Sequence, residues 1–178
     1  GEPVPLDDGS DAVARVHGVR ARVFEFADAV RGGKVRGATG KKLKSVVAVG
    51  IGGSYLGPCY VSEALQYDTH GARNREGYEL RFLSNIDPTC VAQALEGLDP
   101  EETLVVVVSK SWTTAETQRN AAQARDWLRE GMASWRVSDD ELVKKHFVAG
   151  ASTDKLDAVA AWGIAPRRNL ELRGRVGG

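Results

Sequence analysis

The hydrophobic pattern along the chain changes between a helical and a strand-like period. From Asp11 to Arg31 apolar residues recur at intervals of three and four, which predicts one amphipathic helix. Its predicted buried stripe consists of Ala12, Val16, Val19, Val23, Ala27 and Val30. After a loop rich in glycine and lysine, Ser45–Val49 forms a short run without polar alternation, as in strands buried on both faces.

The strand-like unit occurs three more times. Further short apolar runs lie at Leu80–Leu83, Thr103–Val108 and His146–Ala149. Helix-start signals accompany them: a capping aspartate before a proline at 87–88, and capping boxes at 113–116 and 138–141. In the helix predicted after residue 114, the inward positions are Thr117, Ala121, Ala124 and Leu128. Alternating strands and helices predict an α/β fold, a parallel sheet flanked by helices on both faces.

Composition and charge narrow the possible functions. The 178 residues suffice for one domain of ordinary size, and 42% hydrophobic with 27% charged residues is typical of a packed globular protein. The 24 Lys and Arg balance 24 Asp and Glu, which argues against nucleic-acid and membrane partners and favours a small molecule. The run Thr103–Val108 is too short to span a membrane. Cys59 and Cys90 match no zinc or disulfide spacing, so we expect no metal and a cytoplasmic location.

A glycine-rich segment, Gly50–Pro58, directly follows the first predicted strand. A dinucleotide fingerprint requires glycine where Tyr55 stands, and a nucleoside-triphosphate loop requires lysine where Pro58 stands, so both interpretations fail. What remains is a turn that lets backbone approach a ligand, the Ser54 hydroxyl, and a helix beginning near Pro58 whose free amides favour an anion. The alternative is that the glycines only form a tight turn between strand and helix.

A second polar cluster, Ser109–Thr114, follows the third predicted strand. Four hydroxyls and the Lys110 ammonium at a helix N-terminus suit a phosphate monoester. The alternative is that Thr113 and Thr114 are only capping residues and that Lys110 is solvated. Because the carboxyl ends of parallel strands share one edge, we expect both clusters to face one crevice.

The remaining polar and aromatic residues have structural interpretations. His17, His70 and His146 lack partner spacing for a metal or a catalytic pair and are interpreted as structural or exposed. No carboxylate has a spacing that predicts a catalytic base. We expect Trp127 and Trp162 to pack on helices, and a solvated face at Glu130, Asp139, Asp140 and Glu141.

Both clusters resemble signatures of the glucose-6-phosphate isomerase family. Gly50–Pro58 is similar to Gly-Ile-Gly-Gly-Ser-x-Leu-Gly-Pro, and Ser109–Thr117 to Ser-Lys-Thr-Phe-Thr-Thr-x-Glu-Thr. Ser84–Asp87 also resembles the family's Ser-Asn-Val/Ile-Asp strand end. The resemblance runs from about residue 40 to 162, and the run Leu98–Val108 leans toward the forms found in plants and some protists. It implies an N-terminal helix and linker at 1–39, the first flavodoxin-like sugar-isomerase domain at 40–165, and a divergent basic tail at 166–178.

The resemblance also implies roles for particular residues. In the family these motifs bind the sugar phosphate, and by position this role falls on Gly53, Ser54, Ser109, Lys110, Ser111 and Thr114. Ser111 replaces the family's threonine but keeps the hydroxyl, and Trp112 replaces its phenylalanine. The implied reaction interconverts glucose 6-phosphate and fructose 6-phosphate without metal or other cofactor, in an enzyme that is a homodimer at full length.

The C-terminal segment departs from the family. The resemblance places its catalytic arginine, glutamate, histidine and lysine beyond residue 178, so we expect an inactive fragment with no catalytic residue. Residues 166–178 contain four arginines and one glutamate, and we predict that they do not pack on the sheet, because buried arginines need carboxylate partners.

One function from another class stays open. A sugar-isomerase domain with an anion site and no base would also suffice as a non-catalytic sugar-phosphate sensor. The sequence of the parent gene would separate this alternative from an enzyme fragment.

Overall fold

Four parallel strands form one sheet in the computed structural model, which describes residues 3–5, 9–70 and 77–171. The strands are β1 (Ser45–Val49), β2 (Glu79–Leu83), β3 (Thr103–Val108) and β4 (Phe147–Gly150). Their spatial order is β2-β1-β3-β4, with Val49 opposite Leu83 on one side and Val107 on the other. The predicted α/β parallel sheet is confirmed.

Helices connect the strands as the alternating pattern predicts. Those described are α1 (Ala12–Arg31), α2 (Gly53–Ala64), α3 (Pro88–Leu95), α4 (Ala115–Gly131), α5 (Asp139–His146) and α6 (Leu156–Ala161). The caps predicted for α3 and α5 are confirmed, since Asp87 accepts from the Thr89 amide at 2.8 Å and Ser138 from the Glu141 amide at 3.2 Å. No helix in the described ranges is long and apolar enough to cross a membrane.

The core lies on both faces of the sheet. Alternate residues of β1 and β3, such as Val47 and Val105, pack with α3 to α6 in the larger cluster. On the opposite face a smaller cluster contains Val30 of α1 with Leu104 and Val148. All four predicted inward positions of α4 are buried, so that helix lies directly on the sheet.

Helix α1 only partly fits its predicted stripe. Val30 is its one buried residue, while Val16 is 62% exposed. Phe26, which lies outside the predicted stripe, packs against the smaller cluster. Residue spacing determines which side chains share a helix face, but not how far the helix extends over the sheet.

His146 connects the segment before β1 to the sheet through two hydrogen bonds. It ends α5, so β4 begins one residue later than predicted. Its buried ring places Nδ1 2.7 Å from the Thr103 carbonyl oxygen, and Nε2 accepts the Ala38 amide at 2.9 Å. Because Nε2 accepts, the proton lies on Nδ1, and burial lowers the pKa of His146. The structural interpretation of His146 is confirmed, and His17 and His70 are exposed as expected.

The other expected packing is also present. Trp127 and Trp162 pack against the larger cluster, with the Trp162 ring centroid 5.0 Å from that of Phe147. Trp135 is exposed. The four acidic residues predicted on a solvated face, Glu130, Asp139, Asp140 and Glu141, are all exposed.

The start of the C-terminal segment packs on the sheet, so that prediction is wrong for residues 166–171. The Leu170 amide donates to the Ala149 carbonyl at 2.7 Å, and Glu171 lies 3.2 Å from Arg22. Arg168 is buried with no carboxylate partner among the described residues. Its guanidinium donates to the Lys145 carbonyl at 3.1 Å and lies 5.8 Å from the Phe26 ring centroid. The prediction for residues 172–178 falls outside the described residues.

Candidate anion-binding site

The two polar clusters leave the sheet side by side. Strands β1 and β3 are neighbours, and their last residues pair in parallel, Val49 with Val107. From β1 the chain leads to β2 on one side, and from β3 to β4 on the other. The point where these connections diverge is where open α/β sheets bind ligands. Both clusters therefore start at the same edge of adjacent strands, and that they face one crevice stays a prediction.

The first turn depends on two glycines. Gly52 has φ 58° and ψ −125°, a conformation that other residues rarely adopt. A Cβ on Gly50 would lie 3.0 Å from the Ser54 Cβ, so a side chain at position 50 would displace Ser54, one of the predicted site residues. This tight turn starts α2 at Gly53, five residues before the predicted start near Pro58.

The first turn of α2 has no side-chain cap, and its Tyr55 and Leu56 amides donate to the Gly52 carbonyl at 3.0 and 2.8 Å. The Ser54 amide donates to Ile51 at 3.2 Å, whereas the exposed Gly53 amide has no acceptor among the described residues. The Ser54 side chain is half-buried. A free amide at the positive end of a helix dipole, like that of Gly53, suits an anion.

The second turn is tied to the end of β4. The Ser109 amide donates to the Gly150 carbonyl at 2.9 Å, and the Ser152 amide donates to the Lys110 carbonyl at 3.1 Å. Lys110 and Ser111 are exposed, whereas Ser109 is only 3% exposed. Ser109 is thus the least accessible hydroxyl of the predicted set.

The predicted capping box at 113–116 is wrong. The N-cap of α4 is Thr114, and no side chain in the described part of the chain accepts the first amides of this helix. The Thr114 hydroxyl lies 3.5 Å from that of Ser109, and the Thr113 hydroxyl donates to Ser111 at 2.9 Å. The hydroxyls bond one another within the turn, which leaves the N-terminus of α4 open to an acceptor from outside.

Charge contributes little net attraction at this site. Lys110 supplies one exposed positive charge, and Glu116, also exposed, supplies one negative charge in the first turn of α4. A hydrogen bond with the Cys59 thiol raises the pKa of Tyr55, so the neighbouring phenol stays neutral. An anion here would depend mainly on hydroxyls, amides and helix dipoles.

Sequence reasoning overlooked two contributors. Ser152, after β4, supports the second turn through its amide, and Gln118 of α4 donates to the Trp112 carbonyl at 3.1 Å. Ser152 follows an apolar run at the same edge of the sheet, so the rule that found the other clusters could have found it. Gln118 had no such signal, because a polar residue near a helix start is common.

Comparisons with known proteins agree with this architecture. Residues 2–178 match the family model for phosphoglucose isomerase. A protein named glucose-6-phosphate isomerase, cytosolic 1, from Clarkia arcuata is 48% identical over 171 residues, which is 96% of this chain and 29% of that protein. The cytosolic glucose-6-phosphate isomerase of Arabidopsis thaliana is 46% identical over the same shares. The chain therefore spans less than a third of the length of these relatives.

Solved structures are similar to the chain as well. A glucose-6-phosphate isomerase from Chlamydia trachomatis aligns with a TM-score of 0.55 and 27% identity, over 93% of this chain and 28% of that one. A hypothetical protein from Thermus thermophilus aligns with a TM-score of 0.62 over 91% of this chain and 33% of that one. At 23% identity the second likeness concerns the fold alone.

Proposed function

The chain belongs to the phosphoglucose isomerase family, and from that premise we propose that it supplies the substrate-phosphate site of a glucose-6-phosphate isomerase. The residues proposed to bind the phosphate are Gly53, Ser54, Ser109, Lys110, Ser111 and Thr114. The observation that carries the proposal is the pairing of two uncapped helix starts, those of α2 and α4, at the end of adjacent strands.

The donors of the two turns suit a phosphate monoester. Exposed Ser111 and half-buried Thr114 offer hydroxyls from one turn, and Gly53 offers an amide from the other. The buried Ser109 hydroxyl donates to that of Thr114 at 3.5 Å, which leaves the Thr114 proton available for an anion. Holding the phosphate away from the reacting carbons would orient the sugar, so that binding energy aids the reaction.

The proposed reaction interconverts glucose 6-phosphate and fructose 6-phosphate. It needs a general acid and base to open the ring and to move a proton through a cis-enediol. We assign neither role to residues 1–178 and expect this polypeptide alone to be inactive. The proposed setting is the cytoplasm, which the names of the plant relatives support. The full-length enzyme is proposed to act as a homodimer, on the resemblance of the motifs alone.

Calorimetric titration tests the phosphate site. Glucose 6-phosphate, fructose 6-phosphate and inorganic phosphate should bind weakly and with similar affinity. Ser111→Ala should weaken each by about 0.5–1.5 kcal/mol, the contribution of one hydrogen bond. Ser134→Ala is the matched control, because it removes another exposed hydroxyl, from the turn Ala133–Trp135.

Two outcomes would contradict the proposal. Equal loss of affinity in both serine variants would mean that the anion does not bind at the second turn. Strong preference for one sugar phosphate over free phosphate would favour the sensor, since a phosphate site alone cannot recognise sugar hydroxyls.

A further inference from the structure

The backbone at Trp112 has an unusual conformation. Its φ is +54°, and Arg136 is the only other non-glycine residue with positive φ in the described part of the chain. For a bulky side chain this region is unfavourable by about 1–3 kcal/mol. Such a conformation persists only where the surroundings enforce it.

Burial of the indole is the first of these constraints. The Trp112 side chain is 6% exposed and belongs to the larger core cluster. Its neighbours Ser111 and Thr113 are both exposed. The turn therefore holds one side chain in the core and directs the flanking hydroxyls outward.

Hydrogen bonds at both ends of the residue are the second constraint. The Trp112 amide donates to the Ser109 carbonyl at 3.3 Å, which closes the turn. On the other side, the Gln118 side-chain amide donates to the Trp112 carbonyl at 3.1 Å. Gln118 lies in α4 one turn after the N-cap Thr114, so this bond ties the turn to the helix that follows it.

We propose that Trp112 and Gln118 are positioning residues that hold the Ser109–Thr114 turn in its phosphate-binding conformation. They act through the turn, the indole by anchoring it in the core and the glutamine by holding its central carbonyl. The proposal rests on the proposed function for its ligand, but the rigidity of the turn is measurable without any ligand.

Gln118→Met tests the glutamine with little change in side-chain length. It removes the donor to the Trp112 carbonyl and adds no charge near the anion. Gln123→Met is the matched control, because Gln123 lies five residues further along α4, in the groove toward α3. Two quantities are measured by NMR: the hydrogen-exchange rate of the Trp112 amide, and the dissociation constant of inorganic phosphate.

Gln118→Met should speed exchange of the Trp112 amide and weaken phosphate binding by about 2- to 12-fold, the range expected for one lost hydrogen bond. Gln123→Met should change neither. Trp112→Phe should retain most of the affinity, because it keeps an aromatic anchor. Trp112→Gly should lose affinity although glycine tolerates positive φ, because the anchor is gone.

Unchanged amide exchange and unchanged phosphate affinity in Gln118→Met would overturn the proposal. Because Gln118→Met leaves the core intact, this test holds even if Trp112→Gly does not fold. Wild-type affinity in a folded Trp112→Gly would overturn the anchoring role of the indole. If the unaltered chain binds no phosphate while Gln118→Met still speeds exchange, the proposed function fails and the positioning of the turn stands.

Discussion

Replacing His146 with leucine should strongly destabilise the domain. The ring is completely buried and joins two distant parts of the backbone, the Thr103 carbonyl and the Ala38 amide. Leucine fills a similar volume but offers neither a donor nor an acceptor. The His146→Leu variant therefore isolates the loss of the two hydrogen bonds.

The expected cost follows from the burial of the two partners. A buried polar group left without a partner costs about 1–3 kcal/mol. Thr103 is fully buried, whereas Ala38 is half-buried and its amide can regain water. We therefore expect a loss of about 2–4 kcal/mol, a large part of the roughly 5–15 kcal/mol by which domains are stable.

His146 should also make the free energy of unfolding decrease at acidic pH. Burial and the nearby Arg168 charge lower the pKa of His146 in the folded state. A depressed pKa means that the unfolded state binds the proton first, so the contribution is complete above the unfolded pKa of about 6.5. Below that pH the stability falls by up to about 1.4 kcal/mol per pH unit, until the folded pKa is reached.

Urea unfolding between pH 5 and pH 8, followed by circular dichroism, checks both statements. His146→Leu should lower the unfolding free energy at pH 7.5 and should reduce the slope below pH 6.5. His17→Leu is the control, because His17 is exposed on α1. A loss below 1 kcal/mol, or a pH slope that is the same in wild type and His146→Leu, would refute the reasoning.

The packing and the proposed function lead to four further predictions. Gly37→Ala should destabilise the chain by about 1–3 kcal/mol in urea unfolding, because the new Cβ would lie 2.5 Å from the Glu101 carbonyl oxygen. Gly18→Ala meets no atom within 4 Å in the middle of α1 and should stabilise by about 0.5–1 kcal/mol, and the opposite order would contradict the packing. Arg168→Ala should make residues 169–171 more susceptible to proteolysis, and unchanged cleavage would mean that the guanidinium does not hold this segment. A coupled assay of the purified chain should detect no isomerase activity, and activity that co-purifies with the chain through repeated chromatography would overturn its assignment as inactive.

The sequence predicted the sheet well because buried parallel strands are nearly continuous apolar runs. It also located both polar turns, since ligand sites in this fold follow strand ends. It could not predict which partner a side-chain hydroxyl takes within a turn. Thr113 has a good capping sequence, but its hydroxyl donates to Ser111, and the N-cap is Thr114, whose side chain accepts no amide of α4.

Tertiary contacts also determine the burial of residues that the sequence pattern predicts wrongly. Arg168 appeared unsuited to burial, yet the Lys145 carbonyl and the face of Phe26 satisfy its guanidinium. Val16 shares a helix face with Val30, but the helix contacts the smaller core cluster mainly through its C-terminal half. The role of Gln118 depends on the positive φ of Trp112, which no local pattern in the sequence indicates.

The central claim is that the two turns after β1 and β3, at Gly50–Ser54 and Ser109–Thr114, bind a phosphate group. Its most direct test is a titration of the isotope-labelled chain with glucose 6-phosphate and with inorganic phosphate, followed by amide chemical shifts, at constant ionic strength. We predict that both ligands shift the amides of Gly53, Ser54 and residues 109–114 and leave those of α6 unchanged. Shifts confined to other surfaces, or no shifts at saturating glucose 6-phosphate, would contradict the account.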